Sequence, residues 1–344
     1  MNTDLTELFY QQVGSSWILD ALFLFLNTPL GLIGFVLNCL SFYILFKIKQ
    51  KTKKILYSYL TMYSLFSMSL CILNTLLSIL SSPRYFDFIF TEPGSFIKCN
   101  LLTWANTSNY FILNIIDCIL LLERLTTLTN YNFIKSFFNY NPNFVCILII
   151  ILANLINLSS FFILSSRSNL EYKEAMNNLE TLTNFTYCYR QPFFLNQTGR
   201  SLVVVTIAFR DIISLLIELL LSIYSIIYFR RYIKQKSIES NSFQNLNSTS
   251  SQNQIDLIKK IEKYNINLTK MTIYLSLCSM ISHFGIAIFY IQISNNDKES
   301  FLRRYSVFIT TFLVNLKFLS NFLLFYQFNV NFRYYFKKNS NYLS

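Results

Sequence analysis

The sequence predicts an all-α membrane protein, a bundle of seven transmembrane helices. Three observations carry that prediction. Of the 344 residues, 53% are apolar and only 13% charged, against about 25% charged in ordinary globular chains. The apolar residues are gathered into uncharged runs near the roughly 20 residues that a helix needs to cross a bilayer core about 30 Å thick. Basic residues concentrate on alternate connecting segments, the pattern that membrane insertion leaves in a sequence.

The elements follow in order. Residues 1–16 hold Asp4 and Glu7 and no basic cluster, so they read as an extracellular N-terminus, not as the head of a signal peptide. The first span is expected over 17–46, uncharged from Ala21 to Phe46, and the second over 55–80, uncharged from Ile55 to Ser82. The third, 97–127, is uncharged from Asn100 to Ile116 and then meets Asp117, while the fourth, 143–165, lies in the clean run Ser136 to Ser166. The fifth, 202–232, contains Arg210, Asp211 and Glu218. The sixth, 264–293, is uncharged from Met271 onward, and the seventh, 304–327, surrounds Lys317. Between the fifth and sixth, 237–255 is rich in Ser, Asn and Gln. Such a composition buries no core and is expected to be a disordered cytoplasmic linker.

Eighteen of the 29 Lys and Arg residues fall on the side opposite the N-terminus, ten on the N-terminal side, and Lys317 lies between. The N-terminus is therefore expected outside, at the plasma membrane in a multi-pass topology. The net charge of +12 is then a topology signal with a bonus for anionic lipid, and no nucleic-acid partner is expected. On the outer side, Asn184-Phe-Thr and Asn196-Gln-Thr are glycosylation acceptors. Of seven cysteines only Cys99 and Cys188 fall on that side. They are either bridged or two free thiols.

Six glycines and a single histidine, His283, leave no phosphate-cradling loop and no metal site. The chain is not expected to be an enzyme or to carry a cofactor. His283 on an apolar helix reads as a hydrogen-bonded core residue. Charges inside spans cost about 2.5 to 3.5 kcal/mol each on insertion scales, so Asp117, Glu218 and Lys317 need a reason. Lys317 is expected to pair with Asp117, or failing that with Glu218; the alternative is that the acids are protonated or face a hydrated cavity. Glu123 and Arg124 close the third span, where both can reach water or each other.

The chain resembles a rhodopsin-like seven-helix G-protein-coupled receptor of the divergent, peptide-receptor-like kind, over its whole length. In that family an outer Cys opens the third helix and a D/E-R-Y motif closes it, the Arg 25 residues later; Cys99 and Arg124 have that spacing, with Glu123-Arg124-Leu125 as the motif. The family's seventh helix ends in NPxxY and is followed by a short amphipathic helix opening with Phe-Arg 11 residues after the Asn. Here Asn321 and Phe325 stand at the ends of that motif and Phe332-Arg333 follows at the same distance. Gly34-Phe-Val-Leu-Asn38 resembles the first helix's signature loosely. The second-helix Asp, the fifth-helix Pro and the sixth-helix CWxP have no counterpart.

The resemblance implies a Cys99–Cys188 disulfide, a short amphipathic C-terminal helix and tail over 328–344, and activation through Glu123, Arg124, Asn321 and Phe325. It implies a heterotrimeric G protein as partner, beside the lipid bilayer and an extracellular peptide or small-molecule ligand, with a neuropeptide favoured. Monoamine receptors of the family carry an Asp 18 residues before the third-helix Arg; here that position is Asn106, a candidate ligand-pocket residue without the counter-charge. Light-sensing members carry their Lys six residues before the seventh-helix Asn, where this chain has Asn315. The alternative reading is a secondary transporter or channel that uses the intramembrane Asp117, Glu218 and Lys317.

Overall fold

The computed structural model describes residues 17–52, 54–80, 92–129, 141–168, 186–190, 208–243, 252–294 and 300–340. Helix dominates them, as it must where apolar segments have to satisfy their own backbone groups. Helix α1, Trp17–Thr52, passes through a π-helical turn at Phe23–Asn27. Helix α2 is Ile55–Leu80. Helix α3, 92–129, joins Glu92–Phe96, a π-helical turn Ile97–Leu102 and the straight run Thr103–Thr129. Helix α4, Pro142–Ile156, starts cleanly because Asn141 accepts the Asn143 N–H and Pro142 stands at the first helical position. After it come α5, Leu158–Ile163, and an antiparallel hairpin of β1, Leu164–Ser168, and β2, Thr186–Arg190. Helix α6, 208–243, opens with the π-helical turn Ala208–Ile213, and α7 is Gln252–Ser294. Helices α8, Ser300–Phe328, and α9, Val330–Ser340, complete the order.

The long helices pack as a closed bundle. Helix α1 lies against α2 and α8, α8 against α7, α7 against α6, and α6 against α3. Helix α3 also touches α2, α4 and α7, so it runs through the middle. The hairpin lies on the first turns of α3, at what is here termed the Cys99 end, and α9 packs on α1 and α8 at the opposite, Arg124 end. Four helical stretches among the described residues are long and apolar enough to cross a membrane: Trp17–Thr52, Ile55–Leu80, Arg210–Gln235 and Tyr305–Phe328. Polarity runs inside out. Leu32, Val36, Ile147, Ile151, Leu216 and Leu220 are exposed, whereas Asn38, Ser41, Ser64, Ser67, Ser225 and Ser279 are wholly buried. An apolar exterior around a polar interior suits lipid as the solvent, and this is the make-up of a membrane protein.

Several boundaries differ from the sequence expectation. The fourth span, expected as one helix over 143–165, ends at Ile156 and restarts after Asn157, with 164–165 in β1. The reason is local: the Asn157 side chain and its own N–H both bond the Ala153 carbonyl, a competition that commonly ends helices. The hairpin is a small addition to a structure that is otherwise helical among the described residues, in line with the all-α expectation. Helix occupies both ends of the expected disordered linker, since α6 continues to Phe243 and α7 starts at Gln252; once nucleated, a helix extends at one hydrogen bond per added residue. Helix α3 starts five residues before the expected 97. Residues 1–16 and 202–207, Asn184 and Asn196 lie outside the described residues.

Candidate functional site

Helix α3 carries Asp117, 1% exposed, into the middle of the bundle. Lys317, on α8 and 3% exposed, brings its Nζ to 3.3 Å from Asp117 Oδ2 and 2.7 Å from Ser279 Oγ of α7. The ammonium also stands 5.8 Å from the Tyr63 ring centroid, inside cation–π range. One ion pair thus joins three helices. Its value is asymmetric: a buried pair is worth little against an apolar replacement, yet removing one partner costs about 3 to 5 kcal/mol.

Glu218 of α6 is not part of that ion pair but lies within electrostatic reach of both its members. It is wholly buried, and its Oε1 accepts from Ser276 Oγ at 3.0 Å, with Ser222 Oγ 2.6 Å from Ser276 Oγ. Its Oε2 has no partner among the described residues. His283 contacts the Ser279 carbonyl through Nδ1 at 2.7 Å, and its Nε2 is likewise unpartnered among the described residues. Ser276, Ser279 and His283 recur at three and four residues on one face of α7, so the serines deliver hydroxyls to both acidic sites. Sequence reading passed over them because serine is common in every segment here; their helical spacing beside His283 was the available signal.

A neutral amide ladder ties α1, α2 and α8. Asn38 Nδ2 donates to the carbonyls of Gly34 at 2.7 Å and Phe318 at 3.1 Å. Asn315 Nδ2 donates to the Asn27 carbonyl at 3.2 Å, Asn74 Nδ2 to Asn315 Oδ1 at 3.4 Å, and Asn321 Nδ2 to Ser67 Oγ at 3.3 Å. Phe325 is wholly buried with its ring 5.7 Å from that of Phe332 in α9. At the Arg124 end, Nε and Nη2 of Arg124 both bond the Glu123 carboxylate, and Arg124 is only 4% exposed. Among the described residues the guanidinium is held by its own sequence neighbour rather than by another helix.

Toward the other end, Arg210 bonds Asp211 through Nε at 2.8 Å and Nη2 at 2.6 Å, and its Nη1 reaches Asn157 Oδ1 at 3.5 Å. The pair explains how two charges are carried at the start of α6: they neutralise each other and dock on the α4–α5 break. Asn106 is half-buried on α3, and its Oδ1 accepts no hydrogen bond from the described residues. Cys99 is buried and disulfide-bonded, while Cys39, Cys71, Cys118, Cys146 and Cys278 are free thiols. Its expected partner Cys188 has its backbone in β2, opposite Ser166; the Cys188 side chain lies outside the described residues. Among the described residues no cluster of His, Cys, Asp and Glu is placed to hold a metal ion.

No protein-family model matches the chain, and no curated protein is significantly similar to it.

Proposed function

We propose that the chain is a rhodopsin-like seven-helix G-protein-coupled receptor that passes the binding of an extracellular ligand, a neuropeptide by preference, to a heterotrimeric G protein across the plasma membrane. The observation that carries this reading is the buried Glu123–Arg124 pair at the end of the central helix α3. An arginine restrained by an adjacent acid is a charge that a small rearrangement can release to a partner. Support also comes from Asn321 meeting Ser67 deep in the bundle, and from α9 following α8 with Lys337 and Lys338 in its last turn. On this reading three further helices cross the bilayer beside the four apolar ones, with the N-terminus outside and Cys99 bridged to Cys188. Ligand favours an arrangement in which the Arg124 ends of α6 and α7 separate, and the population shifts by its differential affinity. The test is GTP exchange on a panel of G proteins in membranes bearing the wild type and Arg124→Ala. Exchange that needs Arg124 is expected; its absence at verified surface expression overturns the reading.

A second reading, a secondary transporter or channel, is favoured by one observation: the Asp117–Lys317 pair and the half-satisfied Glu218 lie buried in the bundle centre. Charge or solute flux in vesicles that falls with Lys317→Met at equal amounts of folded protein would support it.

A further inference from the structure

Four polar side chains that the functional reading leaves unused converge at the Arg124 end. Tyr57 lies in the first turn of α2 and is wholly buried, Tyr264 lies on α7, and Asn329 and Asn331 flank the start of α9. The Tyr57 hydroxyl donates to Asn329 Oδ1 at 3.1 Å. That oxygen also accepts the Phe332 N–H at 3.1 Å, so Asn329 caps α9 with the same atom. Because the single proton of Tyr57 is committed there, the 2.6 Å contact between the two phenols is filled by the proton of Tyr264. Asn331 Nδ2 then donates to both phenol oxygens, at 3.1 Å to Tyr57 and 3.3 Å to Tyr264. Tyr57 thus gives one hydrogen bond and accepts two, its full capacity. The Lys54 ammonium stands 4.8 Å from the Tyr264 ring centroid.

The arrangement is mechanically one-sided. Tyr57, Asn329 and Asn331 belong to elements that pack on α1, whereas Tyr264 belongs to α7, which packs on α8 and α6 and shares little packing with α2 or α9 among the described residues. We propose that these four residues form a latch that holds the Arg124 end of α7 against α2 and α9 and keeps the mouth of the bundle closed. Both tyrosines lie within electrostatic reach of Arg124, so the closed latch is at the same end of the bundle as the group that the receptor reading assigns to G-protein contact. A displacement of α7 by about 1 Å takes the phenol contact out of hydrogen-bond range. The proposal rests on the receptor reading for what opening achieves, not for the opening itself.

The experiment uses the full chain in lipid nanodiscs, with spin labels at Thr127→Cys on α3 and Lys260→Cys on α7, both exposed positions, and the unsubstituted chain as labelling blank. Tyr57→Phe and Tyr264→Phe remove the hydroxyls and keep the rings. Each is expected to raise the long-distance population about tenfold, the equivalent of one to two hydrogen bonds, and to raise basal GTP exchange by a similar factor. Asn331→Ala, at a partly exposed position, is expected to give a smaller shift and serves if a Phe variant fails to fold. Distances that stay at the wild-type values in folded variants overturn the latch, whatever the exchange assay reads. Longer distances without exchange on any G protein support the latch and overturn the receptor reading instead.

Discussion

Lys317 illustrates how a single residue can organise an apolar bundle. Its ammonium joins Asp117 and Ser279 in the buried interior of the bundle, so each partner is tolerable only while the other is present. Lys317→Met is expected to lower the folded, surface-expressed fraction sharply, by about 3 to 5 kcal/mol if nothing relaxes. Adding Asp117→Asn should recover most of the loss, and additive losses measured by surface labelling would count against the pairing as a determinant of folding. A steric counterpart lies at Gly31. A Cβ there would stand 2.3 Å from Thr75 Oγ1 and 3.3 Å from the Cys71 carbonyl, so α1 and α2 approach because Gly31 has no side chain. Gly31→Ala is expected to cost about 1 to 3 kcal/mol, with part of it returned by Thr75→Ala in the same chain; thermal melts in detergent would measure both. Asp117, Glu218 and Lys317 were legible in the sequence because a charge in an apolar run stands out. Tyr57 and Tyr264 were not, since a hydroxyl among 23 Tyr and 35 Phe carries no contrast until the backbone brings two of them together.

Among the elements, the apolar helices were legible wherever hydrophobicity alone decides. Their ends were less so, because capping and local hydrogen bonds act there on a scale of one residue. The Asn157 break shows this: one side chain bonded to Ala153 ends a helix that the surrounding apolar run would have continued. The hairpin was missed because its two strands are only five residues each and 164–168 and 186–190 are far apart in sequence. Helix α4 offers a test of capping. Asn141→Ala removes the acceptor for the Asn143 N–H, 3.0 Å away, and is expected to cost about 1 kcal/mol. Faster amide hydrogen exchange confined to the first turn of α4, with Asn141→Asp close to wild type, would establish the cap.

At the scale of the whole molecule, the charges divide by how far apart their partners lie along the chain. Arg124 with Glu123, and Arg210 with Asp211, are sequence neighbours; Asp117 and Lys317 are separated by 200 positions. Because Glu123 is a sequence neighbour and holds Arg124 without joining two helices among the described residues, Arg124→Ala is expected to disturb the fold less than Lys317→Met while removing any G-protein exchange, a separation that parallel melting and exchange assays would reveal. The same division has a consequence for biogenesis. The two adjacent pairs are already neutral as they leave the ribosome, whereas Asp117 is made 200 positions before its partner Lys317. Until α8 emerges, Asp117 lacks the ammonium that it meets in the folded bundle. A chain stopped at residue 299 is therefore expected to be retained and degraded, and Asp117→Asn is expected to lengthen its pulse-chase lifetime.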